Sequence, residues 1–158
     1  MILYHGSNQE VREPRLSYSR KSLDFGAGFY MTTDLEQANS WAIRVAHVRK
    51  VGAPIVNVYE TNERWPSLET LRFESANRQW LDFVTAHRTG RATENDYDIV
   101  VGPIANDRTI DVLNLYLAGT ITQSVALELL LPQKLKNQYV LKTQRAIDGV
   151  CFTGVKNV

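Results

Sequence analysis

Apolar positions along the chain fall into short blocks whose period changes repeatedly. Residues 2–5 (I-L-Y-H) read as a short strand ended by Gly6 and Ser7, and residues 29–32 (F-Y-M-T) as a second. The polar, glycine-punctuated residues 8–28 between them read as a long loop, a kind of segment that is usually functional or disordered. Thr33-Asp34-Leu35-Glu36 has the form of a capping box with Thr33 as N-cap. Leu35, Ala38, Trp41, Ala42, Val45 and Val48 follow at helical spacing, predicting one apolar face and a helix to about Lys50, closed by Gly52.

Further along, residues 53–59 (A-P-I-V-N-V-Y) predict a buried strand and 68–73 another. Ser75 is placed to cap a helix through Arg88 that turns Trp80, Leu81, Phe83 and Val84 inward. Residues 89–96 are turn-like, and 97–101 (Y-D-I-V-V) predict a strand stopped by Gly102-Pro103. Residues 107–117 and 122–130 predict two short helices separated by Gly119, and 139–141 and 150–155 predict the last strands. Strands and helices mix without regular alternation, so the expected class is α+β, in one domain over 1–158.

Composition narrows the setting. With 158 residues, 44% hydrophobic and 22% charged, the chain has enough apolar surface for one real core. A net charge of +1 offers no global field for nucleic acid or an anionic membrane, although Arg12, Arg15, Arg20 and Lys21 form a local basic cluster. The single Cys151 excludes an intramolecular disulfide. No stretch has the length of a membrane span, and the opening I-L-Y-H-G lacks a basic and an apolar signal region, so the cytoplasm is the expected setting. His47 and His87 have no Cys or carboxylate spacing that suggests a metal, and none is expected.

Two stretches carry candidate chemistry. His5-Gly6 sets an imidazole beside a backbone without Cβ, which can approach a flat ligand and meet a primary carboxamide with N–H and C=O. Tyr30 lies on the strand after Gly28, and Trp41, eleven residues on, lies two turns into the capped helix. Two aromatic walls facing one crevice make a slot for a planar ring; for a pyridinium, cation–π attraction adds roughly 0.5–2 kcal/mol per face. Core packing is the plainer use of an aromatic on an apolar stripe.

Together, Y-H-G-S at 4–7 and F-G-A-G-F-Y-M-T-T at 25–33, with the second aromatic at Trp41, resemble the ADP-ribosyltransferases of the diphtheria-toxin and poly(ADP-ribose) polymerase branch. The resemblance implies a split mixed β-sheet with flanking helices and NAD as substrate. By it, His5 hydrogen-bonds a ribose hydroxyl, Gly6 holds the carboxamide, and Tyr30 and Trp41 sandwich the nicotinamide, with Trp41 where the branch usually has Tyr. Softer assignments put Arg20 and Lys21 on the pyrophosphate and Gly26 and Gly28 beneath the cofactor. Ser7 either supports the carboxamide or a ribose, or serves a plain turn. Residues 132–137 stand where this superfamily reads its target.

The catalytic Glu of that branch, expected in an N-E-Y pattern, is replaced here by Gln138 within Asn137-Gln138-Tyr139. Scission of the bond to nicotinamide passes through an oxocarbenium-like state. A carboxylate ~4 Å away contributes on the order of 4 kcal/mol at an effective dielectric of about 20, or about three orders of magnitude in rate. Gln138 keeps an acceptor oxygen and gains a donor, but has no charge. Glu128 or Asp107 entering the site would be one remedy. Members of the branch without the Glu are often limited to single ADP-ribose transfer. The chain is also similar to a small bacterial family of stand-alone domains that share D-F-G-x-G-F-Y-x-T-T, Y-D-I-V-x-G-P-x-A-N-D and N-Q-Y. The resemblances thus imply a mono-ADP-ribosyltransferase acting on a protein or nucleic acid, a toxin with a cognate antitoxin in plasmid maintenance or phage defence. The alternative is a catalytically silent module that binds NAD or ADP-ribose.

Overall fold

The computed structural model describes residues 1–16, 23–93, 96–105, 107–133 and 135–158. Seven strands form one mixed sheet: β1 (Ile2–Ser7), β2 (Phe29–Thr32), β3 (Ile55–Thr61), β4 (Thr70–Arg72), β5 (Ile99–Pro103), β6 (Asn137–Leu141) and β7 (Val150–Asn157). Their spatial order is β4-β5-β6-β2-β1-β3-β7, antiparallel throughout except for the parallel pair β4–β5. Five helices flank it: α1 (Leu35–Arg49), α2 (Arg78–Arg88), α3 (Asp107–Leu117), α4 (Gln123–Leu130) and α5 (Gln144–Ile147). The expected α+β class holds. The first and last strands share the sheet with only β3 between them.

Each face of the sheet has its own core. On one, Tyr30, Val100 and Val140 pack with Trp80, Leu81 and Val84 of α2, Leu113 of α3 and Ala126 and Leu130 of α4. On the other, Leu3, Met31, Ile99 and Leu141 pack with Leu68, Ala146 and Ile147. α1 seats Ala38 and Ala42 on Val56 of β3, with Tyr4 and Leu35 alongside.

Several boundaries differ from expectation, each for a local reason. Asp34, not Thr33, caps α1, because its carboxylate accepts the Gln37 N–H at 2.8 Å. Asn77, not Ser75, caps α2 by accepting the Trp80 N–H at 3.0 Å. α1 ends at Lys50 in the left-handed conformation (φ 54°), ahead of Gly52. Val48 faces solvent, since α1 buries only Ala38 and Ala42. Thr122 caps α4 as its position implies.

The seam between β1 and β2 is narrow. A single bridge, Tyr4↔Thr32, joins them, whereas β1 pairs with β3 over six residues and β2 with β6 over four.

Candidate functional site

Register decides which side chains share a face. Tyr4 lies opposite Thr32, Thr32 opposite Gln138, Tyr30 opposite Val140, and Gly102 opposite Gln138. Alternation along each strand therefore puts Gly6, Tyr30 and Gln138 on the face covered by α1 and α2, and His5 on the other.

Gly6 is the point where α1 sits on the sheet. A Cβ there would lie 2.2 Å from the Ala38 carbonyl oxygen, 2.7 Å from the Ala42 nitrogen and 3.1 Å from the Trp41 Cβ. The glycine thus lets the helix carrying Trp41 close directly onto β1. The Tyr30 and Trp41 rings meet with centroids 6.2 Å apart and planes at 55°. A planar ring stacked between two others needs their centroids about 7 Å apart, twice the carbon contact distance. The two rings pack directly on one another, and no space for a planar ring lies between them in this conformation.

The Tyr30 hydroxyl is fully engaged: it donates to the Gly26 carbonyl at 2.6 Å and accepts the Phe25 N–H at 3.2 Å. Burial pushes its pKa far up, which removes it from proton transfer. Its role is to pin the glycine loop. Gly26 adopts φ 74°, and a Cβ there would meet the His87 ring at 2.5 Å; at Gly28 it would meet the Val140 Cγ1 at 2.4 Å. Both glycines are accounted for by the loop's packing against α2 and β6.

His5 lies against Phe29, ring centroids 4.3 Å apart, and its Nδ1–H donates to the Tyr30 carbonyl at 2.8 Å. That bond is a second tie across the narrow seam. Burial pushes its pKa down to about 4, the bond to Tyr30 opposing and the Arg49 charge assisting, so the ring is neutral at pH 7. The imidazole therefore touches the aromatic pair only through the Tyr30 backbone. Ser7 is buried at the end of β1.

Gln138 is 2% exposed, and its Nε2 has no hydrogen-bond partner among the described residues. Buried amides are nearly always paired, so this donor is open to a water or to a bound group. Glu128 is exposed on α4, whose buried residues are Ala126 and Leu130. Lys136, in the segment expected to read a target, is tied to Asp34 at 2.7 Å and Glu36 at 3.8 Å at the start of α1. Arg20 and Lys21 lie outside the described residues.

The Y-D-I-V-x-G-P stretch is anchored at both ends by hydrogen bonds. Asp98 accepts from the Glu69 N–H (3.0 Å), the Thr143 hydroxyl (2.6 Å) and the Arg145 guanidinium, which holds its carboxyl below the usual range. Pro103 accepts from the Trp80 indole at 3.0 Å. Sequence reasoning did not anticipate the contact of His87 and Lys142 with Gly26, which joins three distant segments that share no motif. Two open clefts, of about 580 and 560 Å3, lie beside residues 12–16 and between α2 and β4; neither is lined by Gly6, Tyr30 or Trp41. Among the described residues no group of three His, Cys, Asp or Glu is placed to hold a metal ion, and no helix is long and apolar enough to cross a membrane.

Fold and site together define an α+β domain in which a helix closes an aromatic pair over a bare strand position. The chain belongs to the family described as Protein of unknown function (DUF3990), which it matches over residues 1–152. No curated protein matches it.

Proposed function

We propose that this chain is an NAD-dependent mono-ADP-ribosyltransferase of the diphtheria-toxin and poly(ADP-ribose) polymerase type, a toxin held in check by an antitoxin. The observation that carries the reading is the convergence of Gly6, Tyr30 and Trp41 on one face, with the unpartnered amide of Gln138 on a neighbouring strand of that face. The narrow β1–β2 seam supports it, because only one ladder bridge and the His5–Tyr30 bond have to break for the two strands to part. On this reading the rings separate to admit the nicotinamide, Gly6 meets its carboxamide, and Gln138 donates to a ribose hydroxyl. The bond from ribose to nicotinamide breaks, nicotinamide leaves, and a macromolecular nucleophile takes the ADP-ribose.

The neutral Gln138 favours a second reading, in which NAD or ADP-ribose is bound and not consumed. One experiment separates the two: purified protein, labelled NAD and cell lysate, scored for released nicotinamide and for modified protein or nucleic acid by mass spectrometry. Transfer abolished by Trp41→Ala supports the enzyme. Saturable binding that quenches Trp41 fluorescence, with no NAD consumed, supports the binder. If neither transfer nor binding occurs, both readings fail.

A further inference from the structure

The sheet ends at β4, and that edge is open. Among the described residues β4 pairs with β5 alone, through Thr70↔Ile99, Leu71↔Val100 and Arg72↔Val101. The Ile99 N–H donates to the Glu69 carbonyl at 3.1 Å, and the Phe73 N–H donates to the Val101 carbonyl at 2.8 Å. Residues 69, 71 and 73 thus turn their backbone groups towards β5. Bonding alternates along a strand, so the N–H and C=O of Thr70 and Arg72 point out of the edge. Such a row of free backbone groups is a template for another chain.

The opposite edge strand, β7, is longer, but its ladder slips register opposite Val58 and Tyr59, and Lys156 lies on it. Both features discourage a further strand. At β4 the Arg72 guanidinium lies over the Tyr139 ring at 5.9 Å, on the sheet face away from α2, and does not cover the edge.

A groove runs beside this open edge. The cleft of about 560 Å3 between α2 and β4 has Leu71 and Phe73 on its strand side and Phe83 and Ala86 on its helix side. The Phe73 and Phe83 rings lie 5.1 Å apart. Tyr97 and Arg91 are exposed at the mouth. Asp82 of the lining is engaged by Arg78 at 3.7 Å and Gln123 at 2.9 Å, whereas the Arg91 guanidinium pairs with no carboxylate among the described residues. The apolar walls therefore end at one cation without a counter-charge.

We propose that β4 and this cleft form a docking site for an extended segment of a partner protein, added to the sheet as a further strand. Its backbone bonds the outward groups of Thr70 and Arg72. Every second side chain falls on the α2 face, where a large apolar one fills the cleft between Leu71 and Phe83. A carboxylate beside that anchor meets Arg91. The groove shares no residue with the aromatic pair, so the proposal is independent of the NAD reading.

The test selects phage-displayed random peptides of about seven residues on the intact chain, a length that matches a typical strand. The enriched peptide is then titrated into labelled protein and followed by NMR. Enriched sequences alternate, with phenylalanine or leucine at the anchor and an acidic residue near it. The amide resonances of Thr70, Arg72 and Ala86 shift saturably. Methylating one peptide nitrogen that faces the edge weakens binding about tenfold, the loss of one backbone hydrogen bond. Ala86→Glu, which fills the cleft with a charge, weakens it at least about tenfold, and Arg91→Gln about threefold. The methylated peptide leaves the protein untouched, so that arm stands even where a variant folds poorly. No enriched peptide, an undiminished affinity after methylation, or shifts confined to α2 with Thr70 and Arg72 unmoved would overturn the proposal; the last would mean that the cleft takes a lone side chain or a small molecule.

Discussion

Replacing Gln138 by Met asks directly whether a buried amide waits for a ligand. The two side chains are similar in length and volume, so the exchange leaves the core filled and removes only polar atoms. In the free protein the Nε2 donor is buried without a partner. Leaving such a group unpaired costs about 1–3 kcal/mol. Against this stands whatever the amide carbonyl gains, about 1 kcal/mol for one net hydrogen bond. Gln138→Met is therefore expected to stabilise the free protein by about 1 kcal/mol, raising Tm by about 2–4 °C at this chain length. The same change should abolish the stabilisation that saturating NAD gives the original chain, which grows as RT ln(1 + [L]/Kd). Thermal scans of both proteins, with and without NAD, read both effects together. A variant less stable than the parent by 1 kcal/mol or more would show that the amide nitrogen is satisfied in solution, and the case for a waiting donor would collapse.

Gly6→Ala forces a Cβ to within 2.2 Å of a helix carbonyl that cannot rotate away, so α1 must shift; overpacking of this kind costs about 3 kcal/mol at the upper end of its range. Chemical denaturation of the variant checks this, and an unchanged midpoint would mean α1 is not seated as described. Tyr30→Phe deletes the hydroxyl that pins Phe25 and Gly26, costing about 1 kcal/mol and speeding amide exchange at Phe25; unchanged exchange there argues against the pin. His5 has a folded pKa near 4 against an ordinary 6.5, so the unfolded chain binds its proton first. Stability is fully present above pH 6.5 and falls by about 3 kcal/mol as pH drops towards 4. His5→Gln should flatten that limb, and an identical pH profile in the variant would refute the half-buried neutral ring.

Elements bounded by clear turn and cap residues were legible: β2, α3 and α4 lie within a residue of where the pattern put them. Caps moved by one or two residues because Thr33 competes with Asp34, and Ser75 with Asn77, for the same N–H groups. α5 is four residues long, too short to show a helical period, and only its Thr143 cap was there to be noticed. The eleven-residue spacing from Tyr30 to Trp41 turned both rings towards one crevice, because a strand followed by a capped helix folds back on itself, but the rings pack on each other where the spacing had suggested a slot. That His5 and Gly6 face opposite sides was also readable, since neighbours in a strand always do. The Lys142–His87 pair was not, because 55 positions of chain and no motif link the two.

The His5 ring and the closed aromatic pair are two views of one seam. β1 and β2 share one ladder bridge and the His5–Tyr30 bond, so any parting of the strands that frees the slot also loosens the imidazole. Loosening returns water to a ring whose pKa is held down chiefly by burial. On the proposed reading, a ligand that wedges Tyr30 from Trp41 thus raises the His5 pKa towards 6.5, and near pH 5.5 its binding takes up a fraction of a proton. The binding enthalpy of NAD should then vary with the ionisation heat of the buffer at pH 5.5 and lose that dependence at pH 8, or in His5→Gln at either pH. A buffer-independent enthalpy at pH 5.5 would place the ligand somewhere that leaves this seam shut.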